Sequence, residues 1–262
     1  MNYYDQHVHT CFSFDSKATL QEYLPLAKGC LITTEHVDLE NPANGFQDSW
    51  MDYDAYSACI KELQTQTEIE LRKGVEIGYC ASHLDRLLVW LQDKDFDIIL
   101  LSIHQNGDYD YMDEEAKEHD SEEVLHRYFQ QMLEAVKVFP CANVLTHFDY
   151  VSRIQDISDD LFLKVAIPYL KQIFPIMIDK QIALELNTRS MFQYGQLSLY
   201  ENVVDLYIEM GGHMFTMSSD AHTASAYAYA FDKGRDFLRR HNIHDLYIFH
   251  KQLPQRIALE EE

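Results

Sequence analysis

The chain has 262 residues, 47% of them hydrophobic, so it is long enough to bury one large core. Its formal net charge of -22 argues against a long nucleic acid as partner, because such binding depends on Lys and Arg neutralising phosphates. There is no long uninterrupted apolar run and no signal peptide at the start, so we expect a cytoplasmic protein without a membrane partner. The sequence leaves the oligomeric state open.

Short β-rich segments alternate with longer segments of helical apolar spacing, a pattern typical of α/β folds with a parallel sheet. The seven predicted strands are residues 3–9, 29–34, 74–79, 97–103, 142–146, 182–187 and 213–218. The predicted helices are residues 19–27, 53–72, 81–92, 122–139, 161–180, 198–210 and 225–240. Residues 38–52 and 105–120 each follow a strand and are predicted to be loops over an active site. No repeat or change of composition marks a boundary, so residues 1–262 are predicted to form a single domain.

Histidine and acidic residues stand at the carboxyl ends of the predicted strands, on the face where a parallel α/β barrel collects its reactive groups. They are His7, His9, Glu35, His36, Glu76, His104, His147, Glu185, Asp220 and His222. Side chains two apart on a strand share a side, so His7 and His9 can reach one metal together, and Asp220 and His222 can do the same from across the barrel. Glu76 can give one oxygen to each of two metals. A lone histidine is more often a core residue. Because nearly every predicted strand ends in a potential ligand, the sequence predicts a Zn, Mn or Fe site.

Six motifs then carry a resemblance to a known family. They are Asp5-Gln6-His7-Val8-His9-Thr10, Thr34-Glu35-His36, Gly74-Val75-Glu76-Ile77, Ser102-Ile103-His104, Thr146-His147-Phe148-Asp149 and Ser219-Asp220-Ala221-His222. In this order they resemble the polymerase and histidinol phosphatase (PHP) superfamily over almost the whole chain. The resemblance implies a distorted (β/α)7 barrel with a trinuclear centre of two to three divalent transition-metal ions, Zn, Mn or Fe.

The resemblance also implies which residues bind each metal. One metal takes His7, His9, Glu76 and Asp220, a second shares Glu76 and adds His104 and His147, and the third takes Asp15, His36 and His222. Asp15 stands where family members often carry His. Asp5, Glu185 and Asn187 are expected either to orient the ligands or to be satisfied polar groups of the barrel core.

Within the superfamily, residues 146–153 and 184–188 look most like histidinol-phosphate phosphatases. This implies hydrolysis of L-histidinol phosphate to L-histidinol and phosphate, a step in histidine biosynthesis. The family holds phosphate with two arginines. Arg153 matches the first, and Arg189 is the candidate for the second, although it follows Thr188 directly whereas the family's arginine lies several residues further on.

The predicted mechanism is attack of metal-activated water on phosphorus, with the two arginines holding phosphate oxygens. Asp220 or His222 is expected to move protons to or from the nucleophile and the leaving group. The predicted catalytic residues are Asp220, His222 and Glu76. The alternatives are a PHP phosphoesterase acting on another small phosphate ester or nucleotide, and a metal-binding module without activity. The complete ligand set argues against the module.

Overall fold

The computed structural model describes residues 4–259 as a mixed α/β fold built on one curled sheet, a distorted α/β barrel. Its strands are β1 (Cys30–Asn41), β2 (Gln47–Ser49), β3 (Glu70–Gly78), β4 (Ile98–Ser102), β5 (Val144–Leu145), β6 (Ala183–Asn187) and β7 (Phe215–Ser218). They are ordered β2-β1-β3-β4-β5-β6-β7, and every pair is parallel except β1 with β2. The carboxyl ends of six parallel strands therefore meet at one edge.

The first predicted strand, residues 3–9, is not a regular strand in the described part of the chain, and Tyr3 lies outside that part. Val8 instead forms one isolated parallel bridge with Ala221. The amide of His9 donates to the Ala221 carbonyl at 2.8 Å, and the amide of Thr34 donates to the Val8 carbonyl at 2.8 Å. This segment thus lies between β1 and the residues that follow β7, where a seventh parallel strand would close the barrel.

Each of the seven predicted helices has a counterpart among the described helices, but those predicted over residues 19–27, 53–72 and 225–240 are shorter in the structure. The described helices are α1 (Leu20–Tyr23), α2 (Tyr53–Gln64), α3 (Leu84–Leu91), α4 (Ser121–Val138), α5 (Asp159–Lys180), α6 (Thr188–Phe192), α7 (Leu197–Glu209) and α8 (Phe231–Arg240). The prediction of one helix over residues 53–72 was wrong at its end, because residues from Glu70 onward pair with β1. The strand β2, the helix α6 and a carboxyl-terminal hairpin, β8 (Asp245–His250) with β9 (Leu253–Ala258), were not predicted.

Helix α5 covers part of the barrel's outer layer. Among the described helices it alone has the length and apolar composition to cross a membrane. It packs against α4 and α7, and its Phe162 and Phe174 are fully buried in the main core. Within the described fold, 39% of its most apolar stretch is buried.

The pairing of β1 with β3 places the first groups of the candidate site. Thr34, His36 and Asp38 stand opposite Gly74, Glu76 and Gly78. Because alternate residues of a strand share a face, these pairs lie on the same side of the sheet, and His36 meets Glu76 directly. The parallel register thus brings an imidazole and a carboxylate together inside the barrel.

Candidate metal centre

Glu76 is the central carboxylate of a buried cluster of histidines. Its Oε1 lies 3.2 Å from His104 Nε2 and 3.0 Å from His147 Nε2. Its Oε2 lies 3.1 Å from His7 Nε2 and 3.5 Å from His9 Nε2. Oε2 also lies 3.0 Å from His36 Nδ1. Glu76 is fully buried, so a single carboxylate faces five imidazoles, the arrangement expected of a bridging ligand.

Asp220 joins this cluster from the far side of the barrel. Its Oδ1 lies 3.5 Å from His9 Nε2 and 3.8 Å from His7 Nε2. Strand β7 ends two residues before it, and Asp220 has a left-handed backbone with φ of 53°. Such a conformation costs on the order of 1–3 kcal/mol in most residues, and Asp tolerates it better than most. It turns the chain so that Ala221 can pair with Val8 while the Asp220 carboxylate faces the histidines.

Asp15, His36 and His222 form the third corner of the cluster. Asp15 Oδ2 lies 3.0 Å from His222 Nε2 and 3.5 Å from His36 Nε2. The rings of His36 and His222 flank His9, with centroid separations of 4.1 and 4.2 Å. The structure therefore brings together every ligand predicted from the sequence. We call this set the ligand cluster: His7, His9, Asp15, His36, Glu76, His104, His147, Asp220 and His222.

Several inward-facing atoms of the ligand cluster have no hydrogen-bond partner. They are His7 Nε2, His9 Nε2, His36 Nδ1 and Glu76 Oε2, all deeply buried. A buried polar atom without a partner costs about 1–3 kcal/mol, so converging atoms of this kind fit a site that binds an ion. Three overlapping groups, His7-His9-Glu76, His36-Glu76-His104 and His9-His36-His222, each have donor atoms close enough to hold a metal ion. Imidazole nitrogens mixed with carboxylate oxygens suit divalent transition metals.

A second layer of carboxylates holds the outer nitrogens of the rings. Glu185 Oε1 lies 2.7 Å from His7 Nδ1, and its Oε2 accepts from the His147 backbone amide at 2.7 Å. Asp38 lies 3.1 Å from His104 Nδ1. Each contact leaves Nε2 of the ring facing Glu76. Of the two roles expected of Glu185, orientation of a ligand fits this geometry. Asp38 was missed by sequence reasoning, although its place two residues after His36 was a usable signal.

Asp5 contacts the chain rather than a histidine ring. Its Oδ1 accepts from the Ser219 amide at 2.9 Å, and its Oδ2 accepts from the Ala228 amide at 2.9 Å and from the Ser219 hydroxyl. Burial raises the pKa of Asp5 to about 6, against the effect of these hydrogen bonds. Asp5 therefore fixes the backbone just before Asp220.

Burial and neighbouring charges shift the pKa values of the histidines in opposite directions. Burial opposes charge on His7, but Glu76, Glu185 and Asp220 together raise its pKa well above the usual value. For His36, Glu76 and Asp15 likewise outweigh burial and raise the pKa to about 9. Without a bound ion these two rings therefore hold protons at neutral pH, and an ion binding to them would have to displace those protons.

The two arginines lie beside Asp220 at the mouth of the cluster. Arg153 donates through Nη1 to Asp220 Oδ2 at 3.1 Å, and through Nε and Nη2 to Ser190 Oγ at 3.1 and 2.9 Å. Arg189 donates to the Asp220 carbonyl at 3.2 Å and is more exposed, since 28% of its side chain is accessible against 3% for Arg153. Helix α6 carries both Arg189 and Ser190, so the displaced arginine still reaches the site.

Both arginines and most of the ligand cluster open into one cleft of about 530 Å³. The two segments predicted to be active-site loops also line it, through Asn41 from residues 38–52 and through Asp110 and Asp113 from residues 105–120. Asp110 accepts a hydrogen bond from Asn41 Nδ2 at 2.8 Å and one from the Tyr150 hydroxyl at 3.3 Å. The cleft thus has a basic side at the arginines and an acidic side at the second loop.

Comparisons with known proteins find a family, relatives and a solved structure that are similar to this chain. The PHP domain family matches residues 5–189. A protein named "Probable histidinol-phosphatase" from Clostridium acetobutylicum is 30% identical over 228 residues, which cover 84% of this chain and 86% of that protein. The histidinol-phosphatase of Lactococcus lactis is 26% identical over 255 residues, covering 94% and 93%.

A solved structure shows the same fold. The crystal structure of histidinol phosphate phosphatase from Lactococcus lactis, complexed with zinc, L-histidinol and phosphate, superposes with a TM-score of 0.86 at 24% identity. The superposition covers 97% of this chain and 99% of that one. At this level of identity the likeness establishes the barrel architecture.

Proposed function

The chain belongs to the PHP domain family, and we propose that it is a metal-dependent phosphomonoesterase that hydrolyses L-histidinol phosphate to L-histidinol and phosphate. One observation carries this conclusion: Arg153 and Arg189 lie beside Asp220, which in turn faces the inner nitrogens, Nε2, of His7 and His9. A phosphate monoester needs both an anion clamp and a centre that activates water, and the cleft offers the two side by side.

The proposed centre holds two to three divalent ions of the Zn, Mn or Fe type, and the Lactococcus lactis relative, whose structure contains zinc, supports this choice. The proposed sets are His7, His9, Glu76 and Asp220 for one ion, Glu76, His104 and His147 for a second, and Asp15, His36 and His222 for a third. Metal ions in such a centre lower the pKa of water and offset charge on phosphoryl oxygens. Glu76 holds the first two sets together through its two oxygens.

Arg153 is the principal phosphate-binding residue in this proposal. A guanidinium has five N–H donors, and three of those of Arg153 are used by Ser190 and Asp220. The other donors remain for phosphate oxygens, and the buried contacts fix the plane of the group. Arg189 donates from the more exposed side of the cleft.

Asp220 and His222 are proposed to move protons between water, the phosphate group and the leaving alkoxide. Nε2 of His222 lies 3.0 Å from Asp15, a carboxylate whose pKa is held below its usual value by His36 and His222 despite its burial. His222 also keeps 22% of its side chain exposed, so it can exchange protons with solvent. We propose that the whole chain acts as one cytoplasmic domain. Its substrate is a small phosphate ester, because the net charge of -22 disfavours binding of long nucleic acids.

The test is a substrate comparison on metal-reconstituted protein, with L-histidinol phosphate, nucleotides and sugar phosphates measured side by side. We expect kcat/KM for L-histidinol phosphate to exceed the others by at least about tenfold, or about 1.4 kcal/mol of transition-state discrimination. A smaller preference would favour another small phosphate ester as substrate. Absence of hydrolysis by metal-loaded protein would favour a binding module.

A further inference from the structure

Asp38 is a buried carboxylate that contacts the rings of two histidines in the ligand cluster. Its Oδ1 and Oδ2 lie 3.1 and 3.2 Å from His104 Nδ1, and its Oδ2 lies 3.5 Å from His36 Nδ1. The opposite nitrogen of His104, Nε2, lies 3.2 Å from Glu76 Oε1. Asp38 therefore occupies the outer side of His104, and the inner nitrogen of the ring faces the bridging carboxylate.

Gly78 provides the space that this carboxylate occupies. The β1–β3 register sets Gly78 directly opposite Asp38. A Cβ atom built on Gly78 would lie 2.6 Å from Asp38 Cγ and would overlap one of its oxygens. Gly78 does not have a positive φ, so its backbone would accept another residue. The requirement for glycine here comes from the close approach of Asp38.

We propose that Asp38 is a positioning residue for His104 and that Gly78 is needed to admit it. Asp38 accepts the Nδ1–H of His104, which fixes the ring tautomer and leaves the Nε2 lone pair on the side of Glu76, where it would bind an ion of the proposed centre. Outer partners of metal-binding histidines typically change metal affinity by about 10- to 100-fold. The inference rests on the metal centre proposed above.

Four variants separate this role from general destabilisation: D38A, G78A, the double variant D38A/G78A, and G74A as a control. Gly74 lies on the same strand and face. A Cβ there would meet Thr34 Cγ2 at 2.5 Å, Ile98 Cγ2 at 2.6 Å and the Thr33 carbonyl oxygen at 2.7 Å, none of which belongs to Asp38. Zinc affinity is measured by competition with a chromophoric chelator. The Nδ1–H signal of His104 is followed by NMR on zinc-loaded protein labelled with ¹⁵N-histidine.

We expect D38A and G78A each to bind zinc about 10- to 100-fold more weakly at one site and to lose the His104 Nδ1–H signal. G74A should be less stable yet retain both. In D38A/G78A the new methyl group has room, so the double variant should match D38A in zinc affinity and be more stable than G78A.

Three results would overturn the inference. The first is G78A or D38A with zinc affinity within twofold of wild type and the His104 signal intact. The second is a double variant as unstable as G78A, including the case in which neither folds. The third is D38A that no longer folds, which would make Asp38 structural. Every readout is independent of L-histidinol phosphate hydrolysis, so a wrong substrate assignment would leave these results unchanged.

Discussion

Replacing Arg153 by Ala tests the phosphate clamp with the least disturbance of the ligand cluster. Arg153 contacts Asp220 through Oδ2, whereas Oδ1 is the oxygen that faces His7 and His9. Its remaining N–H donors are available to phosphate, and a hydrogen bond to a charged group contributes about 1.5–3 kcal/mol. Loss of two such bonds should therefore lower kcat/KM by roughly 10²- to 10⁴-fold while metal content stays at the wild-type level.

The assay is steady-state hydrolysis of L-histidinol phosphate together with inhibition by inorganic phosphate and elemental analysis. R153A should raise the inhibition constant for phosphate, because the same donors bind substrate and product. R153K is the matched variant: it keeps the charge but lacks the guanidinium fork, so it should recover only part of the loss. A kcat/KM for R153A within threefold of wild type would refute the clamp, and loss of bound metal would make Arg153 a structural residue.

Three further predictions concern the metals. Glu76→Gln should lower metal content by at least one ion per chain and abolish measurable turnover, because an amide cannot give an anionic oxygen to each of two ions. Full metal content by elemental analysis would contradict this prediction. The raised pKa values of His7 and His36, the latter about 9, mean that zinc displaces protons, so affinity should rise as pH is raised from 6 toward 9. Calorimetry in buffers of different ionisation enthalpy should show proton release, and equal heats would count against it. Chelator treatment should lower Tm, because ions that bind only the folded state stabilise it by about 2.7 kcal/mol when the free ion concentration is a hundred times Kd. An unchanged Tm would indicate that no ion was bound.

Eight of the nine residues of the ligand cluster could be located from strand ends in the sequence because their signal is local, whereas Asp15 was implied only by the family resemblance. Glu76, His104 and His147 each lie within two residues of the carboxyl end of a strand, and the carboxyl ends of parallel strands meet at one edge of the sheet. The periodicity that revealed the strands thus also placed the ligands, so the relative position of residues far apart in the chain could be predicted.

Features set by tertiary contacts were not predicted. The helix predicted over residues 53–72 ends at Gln64, because pairing with β1 outweighs helical spacing from Glu70 onward. The left-handed backbone of Asp220 depends on the bridge between Val8 and Ala221, which joins the two ends of the barrel. The contact of Asp38 with His104 depends on the register between neighbouring strands of the sheet, which cannot be predicted from the sequence of one strand.

The most direct test of the account is phosphate release from L-histidinol phosphate as metal-free protein is titrated with zinc or manganese. We predict that activity rises with added metal and reaches its plateau at two to three ions per chain. More than one ion is expected because one oxygen of Glu76 faces His7 and the other faces His104. A plateau at one ion, or no phosphate release at saturation, would contradict the account.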